Sequence, residues 1–219
     1  MLFIALSCLQ GRPQGEAYKE LLQLNPDGVQ LTAGNLPTPK FKEEVSIPYR
    51  LHHNFSWNKR KGEVYDNYLK PINIGHNHSI HPPQYKDDID FNSWINSCND
   101  VLLETMYPGY LLGCGKELEI AMSLKKRLAI DISHIHIMFS QGVISKKQIN
   151  KLFDYDNIEE IHISHNSGKY DTHSPICDDT PFLHWIKERK SVLWVYESYL
   201  HKLSLIDRKK QIDIIINMR

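Results

Sequence analysis

The sequence lacks paired cysteines and long apolar runs. Its four cysteines are widely spaced and form no Cys-x-x-Cys pair. This spacing argues against a disulfide framework or a thiolate zinc site and suits a reducing compartment. Residues 2–9 are apolar, but the run has no basic leader and is too short to span a bilayer, as is every later apolar run. We therefore expect a first buried strand at this point and a cytoplasmic protein.

An excess of charge of one sign is also missing, because 26 Lys and Arg residues balance 26 Asp and Glu residues. Without a global basic field, nucleic acid is a disfavoured partner, and only a local basic patch would support it. No Gly-x-Gly-x-x-Gly or Walker sequence indicates a nucleotide site. The unusual feature is histidine, with 12 residues. We expect a small-molecule or phosphoester substrate and no membrane partner.

Strand-like and helix-like stretches alternate along the whole chain. The predicted strands are 2–8, 29–33, 49–54, 72–81, 101–104, 128–132, a seventh from residue 158, and 192–197. Predicted helices lie at 16–24, 91–99, 117–126 and 207–218, with one capped by Ser145 and one begun by Thr180 and Pro181. Eight such units predict a compact (β/α)8 barrel of parallel strands formed by a single domain, residues 1–219. A doubly wound open sheet is the alternative.

Potential metal ligands stand at the end of six successive predicted strands, after an apolar run. They are His52 with its neighbour His53, His81, Glu104, Asp131 with His134, the group His162, His165, Asp171 and His173, and Glu197. In a barrel of this kind the chemistry lies at the carboxyl ends of the strands. A core that only needed filling would carry Val, Ile or Leu there. The alternative is a set of polar strand ends whose histidines are satisfied by ordinary partners.

Mixed imidazole and carboxylate ligands suit Zn, Mn or Fe rather than Ca or Mg. Nine or more ligands exceed the needs of one ion, so we predict two or three divalent ions, with zinc preferred. His76 and His78 are better explained as rim groups. Arg50 and a basic run at 59–61 are interpreted as a solvated loop near the mouth.

These residues resemble the xylose-isomerase-like TIM barrels, and among them the endonuclease IV type of metal centre. Leu51-His52-His53-Asn54-Phe55 resembles the third-strand motif of that family, and His81-Pro82-Pro83 resembles its fourth-strand His-Pro-Gly. The segments 131–134 and 171–173 are similar to its Asp-x-x-His and Asp-x-His motifs. The resemblance covers most of the chain and implies the barrel fold together with a multinuclear site.

The resemblance also implies which residues share each ion. Glu104 would bridge the first two ions. The other ligands would be His52 and His81 for the first ion, Asp131, His162 and Glu197 for the second, and His134, Asp171 and His173 for the third. Two positions depart from the family pattern. His165 stands where many relatives carry an acid, which makes it an added ligand or an acid/base group, and Thr172 replaces an arginine that contacts phosphate.

Three enzymatic functions follow from this assignment. The first is a metal-dependent phosphoester hydrolase, in which Glu104 or Glu197 orients the attacking water. The alternative is a sugar isomerase or epimerase, in which the same two glutamates move a proton between adjacent carbons. A further alternative is an iron-dependent oxidase or oxygenase acting on a peptide or small molecule. A non-enzymatic binding module would hold ions without open coordination positions.

Overall fold

The computed structural model describes residues 1–32, 35–36, 38, 40–53, 78–99 and 101–219. It is a closed barrel of eight parallel strands in sequence order, with the first strand paired to the last. The strands are β1 Leu2–Ala5, β2 Gly28–Leu31, β3 Tyr49–His53, β4 His78–Ile80, β5 Leu102–Glu104, β6 Arg127–Asp131, β7 Ile158–Ile163 and β8 Leu193–Tyr196. The predicted (β/α)8 barrel is therefore confirmed, and the open sheet is excluded.

Helices connect the strands and cover the outside of the barrel. Those in the described residues are α1 Gln14–Leu22, α2 Phe41–Glu44, α3 Phe91–Ser97, α4 Gly115–Ser123, α5 Ile132–Ser140, α6 Lys146–Phe153, α7 Leu183–Ile186 and α8 Leu205–Ile216. Short 3-10 helices add Leu6–Leu9 and Tyr85–Asp87. No helix in these stretches is long and apolar enough to cross a membrane.

The alternation of side chains along β7 divides this strand between two environments. Ile161 and Ile163 point outward into the apolar core between the strands and the helices. Glu160 points into the lumen, because its carboxylate accepts a hydrogen bond from Gln30 of β2 at 2.9 Å, across the barrel. His162 shares this direction, since its ring nitrogen lies 2.7 Å from Glu160. The two-residue period thus places the histidine of this strand in the lumen.

The boundary between β6 and α5 places Asp131 in two roles. Asp131 is the last residue of β6 and also the N-cap of α5, where its Oδ1 accepts hydrogen bonds from the backbone N–H groups of Ser133 and His134. An N-cap carboxylate satisfies the free amides of the first helical turn. The predicted strand 128–132 is therefore one residue too long, and the helix α5 that follows it was not predicted.

Several predicted boundaries are wrong. The first strand ends at Ala5 rather than at residue 8, because the chain turns into the 3-10 helix Leu6–Leu9. The helix predicted to begin at Thr180 and Pro181 begins at Leu183, after Phe182 in a left-handed conformation (φ 65°). The hydroxyl of Thr180 instead accepts the backbone N–H of Cys177. Of the predicted fourth strand, residues 72–77 lie outside the described chain.

Gly28 offers a test of the close packing at the amino end of the barrel. A Cβ at this position would lie 2.4 Å from the ring of Phe3 and 2.5 Å from the carbonyl oxygen of Pro48. We expect Gly28→Ala to lower the free energy of unfolding by about 1–3 kcal/mol, because the core cannot accommodate the added methyl group without strain. Urea denaturation measures this change.

Gly15→Ala is the matched control. Its Cβ would meet Thr38 at 3.5 Å, an ordinary contact, within α1. We expect this variant to keep its stability or to gain up to about 1 kcal/mol from helix propensity. Equal losses in the two variants would contradict the packing argument.

Candidate metal centre

The barrel brings all nine predicted metal ligands to its carboxyl end. Glu104, at the end of β5, lies at the centre of the group and is 1% exposed. Its Oε2 lies 3.1 Å from Nε2 of His52 and 3.1 Å from Nε2 of His81. These two histidines come from the ends of β3 and β4, so neighbouring strands place them beside one carboxylate.

A second group shares the same oxygen of Glu104 and extends toward β6, β7 and β8. Nδ1 of His162 is 3.5 Å from Oε2 of Glu104 and 3.4 Å from Oε1 of Glu197. One ligand atom from each of Glu104, Asp131, His162 and Glu197 can be chosen so that all lie within 4.8 Å of one another, and all four residues are buried. That spacing is compatible with four atoms surrounding one ion at bonds of about 2.0–2.2 Å.

The third group joins α5 to the loop that follows β7. Nε2 of His134 lies 3.3 Å from Oδ2 of Asp171, which in turn lies 3.1 Å from Nε2 of His173. The backbone of His173 has φ 43°, a left-handed conformation that is uncommon in residues other than glycine. The backbone N–H of Tyr199 donates to the backbone carbonyl of His173 at 2.7 Å and helps to hold this conformation.

Many polar atoms in these groups are buried without a normal hydrogen bond to any described residue. They are both carboxylate oxygens of Glu104, Oδ2 of Asp131, Nε2 of His134, Nδ1 of His162, Oδ1 of Asp171 and Nδ1 of His173. Buried polar atoms in native proteins are normally paired, so a concentration of orphaned ones calls for an explanation. Lone pairs that converge from carboxylates and imidazoles are the ligands of a divalent cation. The residues present therefore fit a metal site.

The direction of the ring protons supports the same conclusion. Nδ1 of His134 lies 2.8 Å from the carbonyl oxygen of Thr105, which can only accept, so Nδ1 carries the proton. In a neutral ring, Nε2 then has a lone pair directed toward Asp131 and Asp171, at 3.7 and 3.3 Å. The lone pair of His134 therefore faces two carboxylates that also only accept, and a cation between these three groups would satisfy all of them.

The carboxylates of Glu104 and Glu197 have opposite pKa shifts. Burial acts to raise the pKa of Glu104, but His81, His162 and His52 outweigh it and hold the pKa well below its usual range. Burial raises the pKa of Glu197 to about 7, with His162 opposing the rise and Glu104 adding to it. The two acids therefore differ in their affinity for a proton although they face the same histidine.

His165, predicted as an extra ligand or acid/base group, lies apart from these contacts. Its ring Nδ1 is 3.1 Å from the hydroxyl of Thr180 and 3.9 Å from Sγ of Cys177. No contact between this ring and the nine ligands is recorded in the described residues, and its catalytic role stays a prediction. His76 lies outside the described residues, as do the side chains of His53 and His78.

The structure corrects the interpretation of Arg50 and adds residues to the site. Arg50 does not belong to a solvated loop, because its guanidinium lies 2.6 Å from the buried carboxylate of Glu160 inside the barrel. Tyr107 and Tyr199 flank the centre, with their rings 5.0 Å from His134 and 5.2 Å from His173. Sequence reasoning missed Glu160, although it lies two residues before His162 on the same face of the strand.

No protein-family model and no curated protein matches the sequence. Solved structures do match the fold. A D-tagatose 3-epimerase-like protein aligns with TM-score 0.63 at 15% identity, over 99% of this chain and 96% of that one. D-Psicose 3-epimerase from Clostridium cellulolyticum, solved with D-tagatose, gives TM-score 0.61 at 12% identity, over 98% and 97%. The TTHB071 protein from Thermus thermophilus, soaked with ZnCl2, aligns with TM-score 0.58 at 14% identity, over 99% of this chain and 96% of that one. At these identities the likeness establishes the fold, not the chemistry.

We predict that a divalent ion raises the thermal stability of the protein through Glu104. Zinc at a free concentration about 100 times its dissociation constant stabilises the folded state by about 2.7 kcal/mol, or about 5–10 °C for a chain of this size. Glu104→Gln should lose this shift because it removes the central carboxylate. Glu119→Gln, at a partly exposed position of α4, should retain it. Differential scanning fluorimetry measures the shift, and an equal rise in both variants would contradict the assignment.

We also predict that ions displace protons from the third group. Burial alone would lower the pKa of His173, but Asp171 outweighs burial and raises the pKa to about 9. A ligating imidazole must be neutral, so below pH 9 the ion competes with the proton and affinity rises with pH. Calorimetry in buffers of different ionisation enthalpy counts the released protons. His173→Asn should release fewer protons than the wild type, and an unchanged count would show that His173 does not bind the ion.

Proposed function

We propose that this protein is a divalent-metal-dependent epimerase or isomerase of a small sugar. The observation that carries the proposal is the buried group Glu104, Asp131, His162 and Glu197, whose ligand atoms lie within 4.8 Å of one another. The fold matches of the whole chain to D-tagatose 3-epimerase-like and D-psicose 3-epimerase structures support the same reaction class. These observations favour the epimerase over the phosphoester hydrolase, which was the leading expectation from the sequence.

The two glutamates are suited to moving a proton between adjacent carbons. Glu104 and Glu197 approach the same histidine from β5 and β8, so a substrate bound between them meets a carboxylate on each side. Their pKa values are shifted in opposite directions, and such pairs supply a base and an acid at the same pH. One glutamate would remove the proton next to the carbonyl, and the other would return a proton to the opposite face.

A divalent ion held by this group would supply Lewis-acid polarisation of the carbonyl and its neighbouring hydroxyl. The proposed ligands are shielded from bulk water, since Glu104, Asp131 and His162 are at most 1% exposed. Exclusion of water strengthens each charge interaction with the substrate and limits the loss of the abstracted proton. Zinc, manganese and iron all suit the donor set.

The rim of the site suits a small polyol. Tyr107 and Tyr199 are half-buried on two sides of the centre and present aromatic rings beside His134 and His173. An aromatic ring gives a sugar an apolar surface to pack against, and its hydroxyl offers a hydrogen bond. The neutral net charge of the chain also suits an uncharged substrate.

A phosphoester hydrolase is the second candidate, and one observation favours it. Five further potential ligands accompany the four that one ion requires. His52, His81 and His134 contact Glu104. Asp171 contacts His134, and His173 contacts Asp171. A cluster of ions would clamp a phosphate and generate hydroxide.

Deuterium exchange tests the proposed function. We expect the metal-loaded protein, in deuterium oxide with D-tagatose or D-psicose, to place deuterium on the carbon next to the carbonyl and to form the epimer. Glu197→Gln should slow exchange by about 10²–10⁴-fold, because it removes a proton-transfer group. Glu119→Gln should leave the rate unchanged. Proton NMR measures the exchange, with a generic phosphodiester assayed in parallel. Turnover of the phosphodiester without deuterium exchange would contradict the epimerase proposal and support the hydrolase.

A further inference from the structure

A buried acid lies one layer below the proposed ligands and is not one of them. Glu160 is 0% exposed, yet its carboxylate accepts hydrogen bonds from three other strands of the barrel. Gln30 donates to Oε1 at 2.9 Å, Arg50 donates to Oε2 at 2.6 Å, and the hydroxyl of Ser79 donates to Oε1 at 3.4 Å. The fourth partner is the ring of His162, at 2.7 Å from Oε1.

This contact determines which nitrogen of His162 faces the metal centre. A carboxylate accepts and cannot donate, so Nε2 of His162 carries the proton that it gives to Glu160. In the neutral ring, Nδ1 then holds the lone pair, and it is directed toward Glu104 at 3.5 Å and Glu197 at 3.4 Å. A ligating histidine whose other nitrogen donates to a carboxylate has a fixed orientation and greater basicity.

The same carboxylate also acts on His52, through Ser79. The Ser79 hydroxyl lies between Nδ1 of His52, at 2.8 Å, and Oε1 of Glu160, at 3.4 Å. When the hydroxyl directs its proton to Glu160, it accepts from a protonated Nδ1 of His52, and the lone pair of Nε2 then faces Oε2 of Glu104 at 3.1 Å. Two ligands from different strands thus take their orientation from one acid.

A purely structural role explains these contacts less well. Other strands carry apolar side chains in the lumen. Ala129 of β6 pairs in register with Glu160, and both Ala129 and Leu102 of β5 are fully buried without any charge. Burying an ion pair seldom gains stability over apolar residues of similar volume. Filling the barrel therefore does not require Glu160 and Arg50.

We propose that Glu160 is a positioning residue, held by Gln30 and Arg50, that orients His162 directly and His52 through Ser79 as metal ligands. The inference rests on the proposed function only in requiring that the centre binds a divalent ion. It predicts that substitution of Glu160, which does not contact the ion, lowers the affinity of the protein for the metal.

Zinc affinity of two adjacent variants tests the proposal. In Glu160→Gln, one carbonyl oxygen remains for four donors, and an amide N–H group is brought against either Arg50 or His162. We expect zinc affinity to fall by about 10- to 100-fold, measured by competition with a chromophoric chelator. Glu159→Gln, on the opposite face of the same strand in an ion pair with Arg127, should bind zinc as the wild type does. Equal affinity in all three proteins would overturn the proposal.

A second measurement uses the wild type and does not depend on whether a variant folds. In zinc-loaded protein labelled with nitrogen-15, we expect the ring of His162 to show a bound Nδ1 and a protonated, hydrogen-bonded Nε2. Assignment comes from the signals that His162→Asn removes. A bound Nε2 would overturn the role of Glu160 while leaving the epimerase intact. Absence of any zinc binding by the wild type would overturn both proposals, and retained exchange activity with unperturbed His162 signals in Glu160→Gln would overturn this one alone.

Discussion

The structure depends on the burial of anionic groups at one end of a closed barrel. Glu104, Asp131 and Glu197 are all at most 5% exposed, and one ligand atom of each lies within 4.8 Å of a ring nitrogen of His162. Carboxylates removed from water cost several kcal/mol each unless they are paired, and histidines whose protons are donated elsewhere provide only part of that pairing. A divalent cation would remove the conflict, because it would convert facing lone pairs into coordination bonds. The arrangement would then cost stability without an ion and add to stability with one.

Closure of the barrel is what makes this convergence possible. Parallel strands present their carboxyl ends at the same face, and the two-residue period puts every second side chain into the lumen. The register places Asp131 of β6 directly beside His162 of β7. The layer beneath repeats the period, with Glu160 in line below His162. One geometric rule therefore generates both the ligands and the acid that orients them.

The parts of the site that could be predicted were those with a local signal. Glu104 and His162 each follow an apolar run at the end of a strand, and strand alternation alone assigns their direction. Asp171 and His173 lie in the loop after β7, and their place soon after the strand made them candidates, while the resemblance to a family motif implied which ion they would share. Glu160 could have been placed in the lumen by the same alternation, but its importance depends on Arg50, 110 residues earlier in the chain. A contact between residues so far apart cannot be predicted from the local sequence.

The helix α5 was not predicted for a different local reason. Asp131 both ends β6 and caps α5, so no turn residue between them indicates where the strand stops.

The choice between sugar and phosphoester chemistry can be argued from the distribution of positive charge. A transferred phosphoryl group carries negative charge that enzymes commonly neutralise with arginine or lysine as well as with ions. In the described part of the chain, the cation recorded in contact with the lumen network is Arg50, and it is committed to Glu160. Thr172 stands where the endonuclease IV motif that this segment resembles has an arginine. A hydrolase built on this centre would have to neutralise the phosphate with its ions alone. An epimerase would meet no such demand, because its substrate is uncharged and the charge that develops on the carbonyl oxygen is within the capacity of a single divalent ion.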